Sequence, residues 1–147
     1  MSGPQIPRNA ALLGYAGIIP FAALAALYVI GFEIAGRDTL SGFVTYGAVI
    51  LSFLGGIRWG SAVAAGNGRS AGLGFSVLPS LWAFFFLWWA EPSTAAWGMF
   101  AGFVLLGLAD GFFLVPGLPA WMRRLRLRLT AAVAVCHLPV LVTLQFS

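Results

Sequence analysis

Apolar residues follow one another in five long stretches along the chain, and short polar segments separate these stretches. A transmembrane helix needs about 20 mostly apolar residues. A membrane β-strand instead alternates apolar and polar residues over about 10 positions, and runs such as residues 81–90 (LWAFFFLWWA) do not alternate. We therefore expect an all-α, single-domain integral membrane bundle over residues 1–147, with five spans near residues 10–32, 40–65, 71–90, 94–115 and 127–146.

Composition supports a membrane protein and excludes several other classes. Hydrophobic residues make up 61% of the 147 positions and charged residues only 8%, whereas a soluble domain carries about 45–50% apolar and about 25% charged residues. An ordinary soluble domain and a disordered chain are therefore excluded. The single cysteine, Cys136, excludes a disulfide framework and a cysteine-ligated metal cluster within the chain. With no cofactor or catalytic motif in the sequence, we expect no cofactor, no metal and no enzymatic activity.

All eight basic residues are arginines, and they fall unevenly on the two sides of the predicted bundle. Six lie on the side of the N-terminus and of the second and fourth connectors, and one lies on the other side. Cytoplasmic segments of membrane proteins carry the excess of basic residues. We therefore expect the N-terminus in the cytoplasm and the C-terminus outside.

Three ionisable residues lie inside the predicted spans: Arg58, Asp110 and His137. Arg58 and Asp110 are opposite in charge and similar in predicted depth, so an interhelical ion pair is one interpretation, with His137 bonded to a carbonyl. Alternatively, Arg58 extends to the headgroups and Asp110 pairs with the arginines of the fourth connector. A third interpretation is a proton relay or an anion site built on all three residues, since histidine titrates near neutral pH.

The fourth connector is the most polar segment of the chain, with four arginines at six consecutive positions. At the cytoplasmic headgroups each would gain roughly 1 kcal/mol from anionic lipid. They indicate either a topology anchor or a specific site for cardiolipin or a protein partner; a short connector held between two spans argues against nucleic acid. These arginines are Arg123, Arg124, Arg126 and Arg128.

Small residues recur at four-residue spacing on two predicted helices, where they would let neighbouring backbones approach closely. Packing within one chain explains such ridges, and so does docking of another protein or of a second copy. The positions are Ser52, Gly56 and Gly60 on the second helix, and Gly98, Gly102, Gly107 and Gly111 on the fourth. In addition, Pro20, Pro79 and Pro139 lie inside spans, where proline kinks a helix and can open a ligand pocket.

Several segments together resemble a known family. They are residues 13–21 (LGYAGIIPF), 46–60 (YGAVILSFLGGIRWG), 76–83 (SVLPSLWA), 108–110 (LAD) and 119–130 (PAWMRRLRLRLT). The chain resembles the domain of unknown function 3429 family, which includes transmembrane protein 69-like proteins. The resemblance implies a bacterial inner-membrane protein and implies no activity. Many members of that family carry histidine at the position of Arg58, so the shared feature is a polar group at that depth.

These features together predict a multi-pass protein of the bacterial inner membrane. Our first hypothesis is a non-enzymatic accessory, assembly or interaction partner of a membrane complex. The alternative is a small channel or carrier for protons or anions that uses Arg58, Asp110 and His137, and a third hypothesis is a lipid or quinone binder. The expected partners are anionic headgroups on the cytoplasmic side and either another membrane protein or a second copy of the chain.

Overall fold

The structure, a computed structural model, describes residues 5–66, 70–112 and 118–146. Within these ranges the regular structure is helical, apart from an isolated bridge between Ile34 and Arg37 in one connector. The helices are α1 (Arg8–Ala16), α2 (Ile19–Val29), α3 (Thr39–Ala64), α4 (Ser70–Trp89), α5 (Pro92–Phe112) and α6 (Ala120–Gln145).

Four helical segments of the described chain are long and apolar enough to cross a membrane. The first combines α1 and α2 as Arg8–Val29, and the others are α3, α5 and α6. The apolar part of α4, Leu73–Trp89, is shorter. The prediction of an all-α membrane bundle with five helical segments is thereby confirmed.

The first segment is broken between α1 and α2 at Gly17 and Ile18. Pro20 lies in the first turn of α2, where its missing N–H does not disturb the helix. The break exposes backbone carbonyls, which in a membrane need a donor from the protein. Tyr46 of α3 supplies one, because its hydroxyl donates to the Gly17 carbonyl over 2.8 Å.

The start of α3 is fixed by Asp38. Its two carboxylate oxygens accept hydrogen bonds from the backbone N–H groups of Leu40 and Ser41, each over 3.0 Å. These bonds satisfy two of the donors that a helix leaves unpaired at its N-terminus. Of the two acidic residues in the first connector, Asp38 is therefore the helix cap.

Four helices surround the core. Contacts join α2 to α3, α3 to α5, α5 to α6 and α6 to α2, and α4 packs on the outside against α3 and α5. Because the C-terminal parts of α3 and α5 meet at Arg58 and Asp110, these two helices run parallel and α4 returns the chain between them. The largest fully buried apolar side chains at the centre are Phe21, Phe43, Leu51, Met99 and Phe103.

The helix bounds differ from the sequence prediction mainly at α6. The helix begins at Ala120, directly after Pro119, so the prediction of a loop before residue 127 is wrong. The arginines there suggested a headgroup segment by their charge, but no residue between 120 and 127 breaks a helix. At the other side of this connector, α5 is described to Phe112, and its predicted end at residue 115 lies outside the described residues.

Candidate functional site

Asp110 pairs with two arginines from two different helices. Its Oδ1 atom accepts a hydrogen bond from Nη1 of Arg58 over 2.7 Å. Its Oδ2 atom accepts one from Nε of Arg126 over 2.7 Å, and Nη2 of Arg126 lies 2.6 Å from the same oxygen. Nη1 of Arg126 also donates to the Leu54 carbonyl over 3.1 Å. We call Arg58, Asp110 and Arg126 the charged triad.

The triad lies inside the bundle, where α3 and α5 end and α6 begins. The side chain of Asp110 is 1% exposed, that of Arg126 is 2% exposed and that of Arg58 is 14% exposed. Burying an ion is costly unless its charge is paired and hydrogen-bonded. The carboxylate therefore meets this requirement through both of its oxygens, and it joins α3, α5 and α6 at one point.

The prediction that Arg126 binds lipid headgroups or a partner is wrong, because its side chain is buried against Asp110. The sequence left the pairing of Asp110 with Arg58 and its pairing with the arginine cluster as alternatives, whereas both pairs form. The sequence does contain a pattern that indicates the burial of Arg126. Once residues 120–128 are taken as helix, spacings of four, three, four and three residues put Arg126, Thr130, Val133, His137 and Val140 on one face, and all five are buried.

The other arginines of that segment lie differently. Arg124 and Arg128 are exposed and Arg123 is half-buried. They begin α6 at the same end of the bundle as the triad, on the side where the sequence predicts headgroups. For these three residues the proposal of lipid or partner binding stays open.

His137 lies apart from the triad. It is fully buried on α6, about 16 Å from Arg126 along the helix at 1.5 Å per residue. Its ring contacts Phe21, Phe43 and Phe103, with ring centroids 4.7–5.8 Å apart. Since a carbonyl only accepts, the 2.8 Å contact from Nδ1 to the Val133 carbonyl puts the proton on Nδ1. Nε2 is buried without a hydrogen-bond partner among the described residues.

Small residues form close contacts at three of the predicted positions on α5. A Cβ atom added to Gly98 would collide with the ring of Phe86, and one added to Gly102 would lie 2.8 Å from Leu51. At Gly107 it would lie 2.8 Å from Thr130. The fourth position, Gly111, would make only an ordinary contact, at 3.8 Å from Leu127.

On α3 the close contact involves a glycine that sequence reasoning missed. A Cβ atom on Gly55 would lie 2.5 Å from the Ser76 carbonyl oxygen, so α3 and α4 need glycine there. The predicted positions Gly56 and Gly60 have nothing within 4 Å of an added Cβ atom, and Ser52 is half-buried. On this helix the position next to the predicted one, Gly55, is therefore the glycine that packs against α4.

A cavity of about 280 Å³ lies between α3, α4 and α5. Its wall is almost entirely apolar, with Arg58 as its charged member; Leu51, Phe75, Pro79, Trp82 and Leu106 are among the other lining residues. The indole N–H of Trp82 is already used, because it donates to the Gly98 carbonyl over 2.8 Å.

The prolines inside the longer helices have different surroundings. Pro79 is buried in α4 and is one of the residues that line this cavity. Pro139 lies inside α6 on an exposed face.

Among the described residues, no group of three His, Cys, Asp or Glu side chains could hold a metal ion.

The chain is similar to curated proteins from two vertebrates. It is 35% identical over 142 residues to "Transmembrane protein 69" of Xenopus tropicalis, covering 90% of this chain and 53% of the relative. It is 31% identical over 126 residues to "Transmembrane protein 69" of Mus musculus, covering 82% of this chain and 50% of the relative. The chain thus spans about half the length of these relatives.

No solved structure matches the chain. The sequence profile of the family described as "Protein of unknown function (DUF3429)" matches residues 6–142, which is nearly the whole chain. The earlier resemblance is thereby confirmed, and the chain belongs to the DUF3429 family of membrane proteins.

Proposed function

We propose that this chain is a non-enzymatic accessory or assembly protein that binds a transmembrane helix of another membrane protein. The surface for this partner is the part of α3 formed by Gly56, Gly60 and Ala64, which we call the open ridge. The observation that carries the proposal is the contrast between this ridge and the other small residues of the bundle.

The two groups of glycines differ in whether a neighbouring helix covers them. Gly98, Gly102 and Gly107 are each covered by a side chain of a neighbouring helix, as internal packing requires. Gly56 and Gly60 are exposed with nothing within 4 Å of an added Cβ atom. Helices in lipid associate through close backbone approach at small residues, so the open ridge offers a contact that the chain itself does not use.

The alternative of a small proton or anion carrier finds less support in the geometry. A relay needs its groups within hydrogen-bond reach of one another or of connecting water. Arg58 and Asp110 bond to each other, while His137 lies among phenylalanine rings about 16 Å further along α6. The arrangement favours a structural role for the ion pairs over a path through all three residues.

We further propose that the protein lies in the bacterial inner membrane with its N-terminus in the cytoplasm. The support is the excess of arginine at one end of the bundle, where Arg124 and Arg128 are exposed, together with the positive-inside rule. Reporter fusions at the two termini test the orientation. A cytoplasmic C-terminus would contradict it.

The partner proposal is tested by purifying the tagged full chain from its own membrane in mild detergent. Gly56→Leu fills the open ridge, and Gly74→Leu is the matched control, because an added Cβ atom on Gly74 of α4 also meets nothing within 4 Å. We expect a defined partner with wild type and Gly74→Leu, and its loss with Gly56→Leu.

Two outcomes would contradict the proposal. The first is a tagged protein that always elutes alone or only as a homo-oligomer. The second is a partner that Gly56→Leu retains as fully as Gly74→Leu does. Thermal unfolding of each variant in detergent checks that the bundle is intact. We expect both variants to unfold as wild type does, because an added Cβ atom at either position meets nothing within 4 Å.

A further inference from the structure

The charged triad carries an excess of positive charge. It combines two arginines with one carboxylate, so its net charge is +1. The described contacts thus leave one arginine charge of the triad without a matching carboxylate.

The other acidic residues of the chain lie at the far end of the bundle. The sequence has four Asp and Glu residues in all. Asp38 caps the start of α3, about 30 Å from Arg58 along the helix, and Glu91 precedes α5, about 28 Å from Asp110. Glu33 lies in the same connector, five residues before Asp38. Asp110 is therefore the one Asp or Glu side chain near the two arginines of the triad, and a second anion at this point would come from outside the chain.

Arg58 is the member of the triad that an outside anion can reach. Arg126 is 2% exposed and also binds the Leu54 carbonyl, whereas Arg58 is 14% exposed and uses only Nη1 for Asp110 among the described contacts. Arg58 also contributes the charged part of the wall of the 280 Å³ cavity between α3, α4 and α5. An anionic group at Arg58 would thus adjoin an apolar cavity.

The depth of Arg58 fits the headgroup of a bilayer lipid. α3 has 26 residues, about 39 Å at 1.5 Å per residue, against a hydrocarbon core of about 30 Å. Arg58 lies about 9 Å from the end of α3 at Ala64, hence about 5 Å inside the hydrocarbon boundary if the helix is centred. The flexible stem of an arginine side chain spans that distance.

We propose that the cavity between α3, α4 and α5 binds one anionic phospholipid, with its phosphate at Arg58 and an acyl chain along the apolar wall. Arginine presents a planar fork of donors that matches phosphate oxygens. The phosphate neutralises the triad, and the acyl chain contacts Phe75, Trp82 and Leu106. The lipid site lies on the inner face of α3 and is independent of the open ridge.

The test is native mass spectrometry of the full chain in mild detergent. The probes are phosphatidylglycerol, zwitterionic phosphatidylethanolamine, oleate and inorganic phosphate, each added separately. We expect one retained phosphatidylglycerol, preferred over phosphatidylethanolamine on the order of tenfold. Retention of oleate or inorganic phosphate in preference to phosphatidylglycerol would overturn the assignment to a phospholipid.

Three variants locate the site. Arg58→Gln leaves Asp110 and Arg126 as a neutral pair, so it should fold and lose phosphatidylglycerol on the order of tenfold. Ala109→Phe places a ring in the cavity without changing any charge and should lose the lipid as well. Arg128→Gln removes an exposed arginine at the same end and should change retention by less than about twofold.

The comparison of these variants decides the proposal. Equal loss with Arg58→Gln and Arg128→Gln would show only general attraction of a basic surface to anionic lipid and would overturn it. Full retention by Ala109→Phe would place the acyl chain elsewhere and would also overturn it. Because Ala109→Phe leaves the triad intact, it keeps the test decisive even if Arg58→Gln does not fold.

Discussion

Replacement of the central carboxylate tests the account of the charged triad most directly. Asp110→Asn keeps the shape of the side chain and one acceptor oxygen but removes the negative charge that both arginines contact at 2.7 Å. At that distance each pair has a gross attraction of about 6 kcal/mol for an effective dielectric constant of about 20. The neutral amide also loses the desolvation penalty of the carboxylate, which offsets part of this loss.

The net loss of stability in Asp110→Asn depends on which arginine can move out of the bundle. Arg58 is 14% exposed and can turn toward the headgroups, whereas Arg126 is 2% exposed and stays inside the bundle. One fully buried charge is then left unpaired, and removal of one partner of a buried ion pair costs about 3–5 kcal/mol. We expect Asp110→Asn to lower the free energy of unfolding by that amount.

The charge balance also predicts an order among variants. Arg126→Gln leaves the neutral pair of Arg58 and Asp110 and should cost about 1–3 kcal/mol, for the lost bonds to Asp110 and Leu54. The double variant Asp110→Asn/Arg126→Gln removes the unpaired buried charge and should be more stable than Asp110→Asn alone.

Titration of the purified protein with SDS in mixed micelles measures these differences, with the fluorescence of the six tryptophans as the signal. Two results would contradict these expected stabilities. One is a cost below about 1 kcal/mol for Asp110→Asn, the range of an exposed pair. The other is a double variant that is less stable than Asp110→Asn, since that would mean that Arg126 stabilises the bundle without its carboxylate.

Further predictions concern helix packing and the buried histidine, and the same SDS titration measures each. Gly55→Ala should cost about 1–3 kcal/mol, because its Cβ atom would lie 2.5 Å from the backbone of α4. Gly56→Ala should be neutral or stabilising by up to about 1 kcal/mol. Equal effects of the two variants would contradict the close packing of α3 against α4 at Gly55. Trp82→Phe should cost about 0.5–1.5 kcal/mol through its lost hydrogen bond to α5, with the exposed Trp89→Phe as the silent control. His137→Leu should change stability by less than about 1.5 kcal/mol, because the described hydrogen bond that it removes is the one from Nδ1 to the Val133 carbonyl, and Nε2 has no partner among the described residues. A cost above about 3 kcal/mol would reveal a further polar contact, at Nε2.

The sequence determined the class of protein and the segments that form helices. In lipid every backbone polar group must be paired, either within a helix or between the strands of a closed barrel. Long apolar runs without alternation do not suit a barrel, so they form helices. Family membership also followed from local motifs such as residues 46–60, and the profile match confirms it. The sequence alone did not predict the helix over residues 120–127. Apolar residues and arginines are mixed there, and the charge suggested a loop at the headgroups.

Which side chains face one another depends on how the helices pack in three dimensions. The sequence singled out Arg58 and Asp110 as the charges inside the spans, but the second partner, Arg126, became identifiable only once α6 was known to begin at Ala120. The choice of Gly55 over Gly56 as the packing glycine likewise depends on the rotation of α3 against α4. Hydrophobicity is a property of one segment, whereas helix rotation and ion pairing depend on the neighbours that three-dimensional packing supplies.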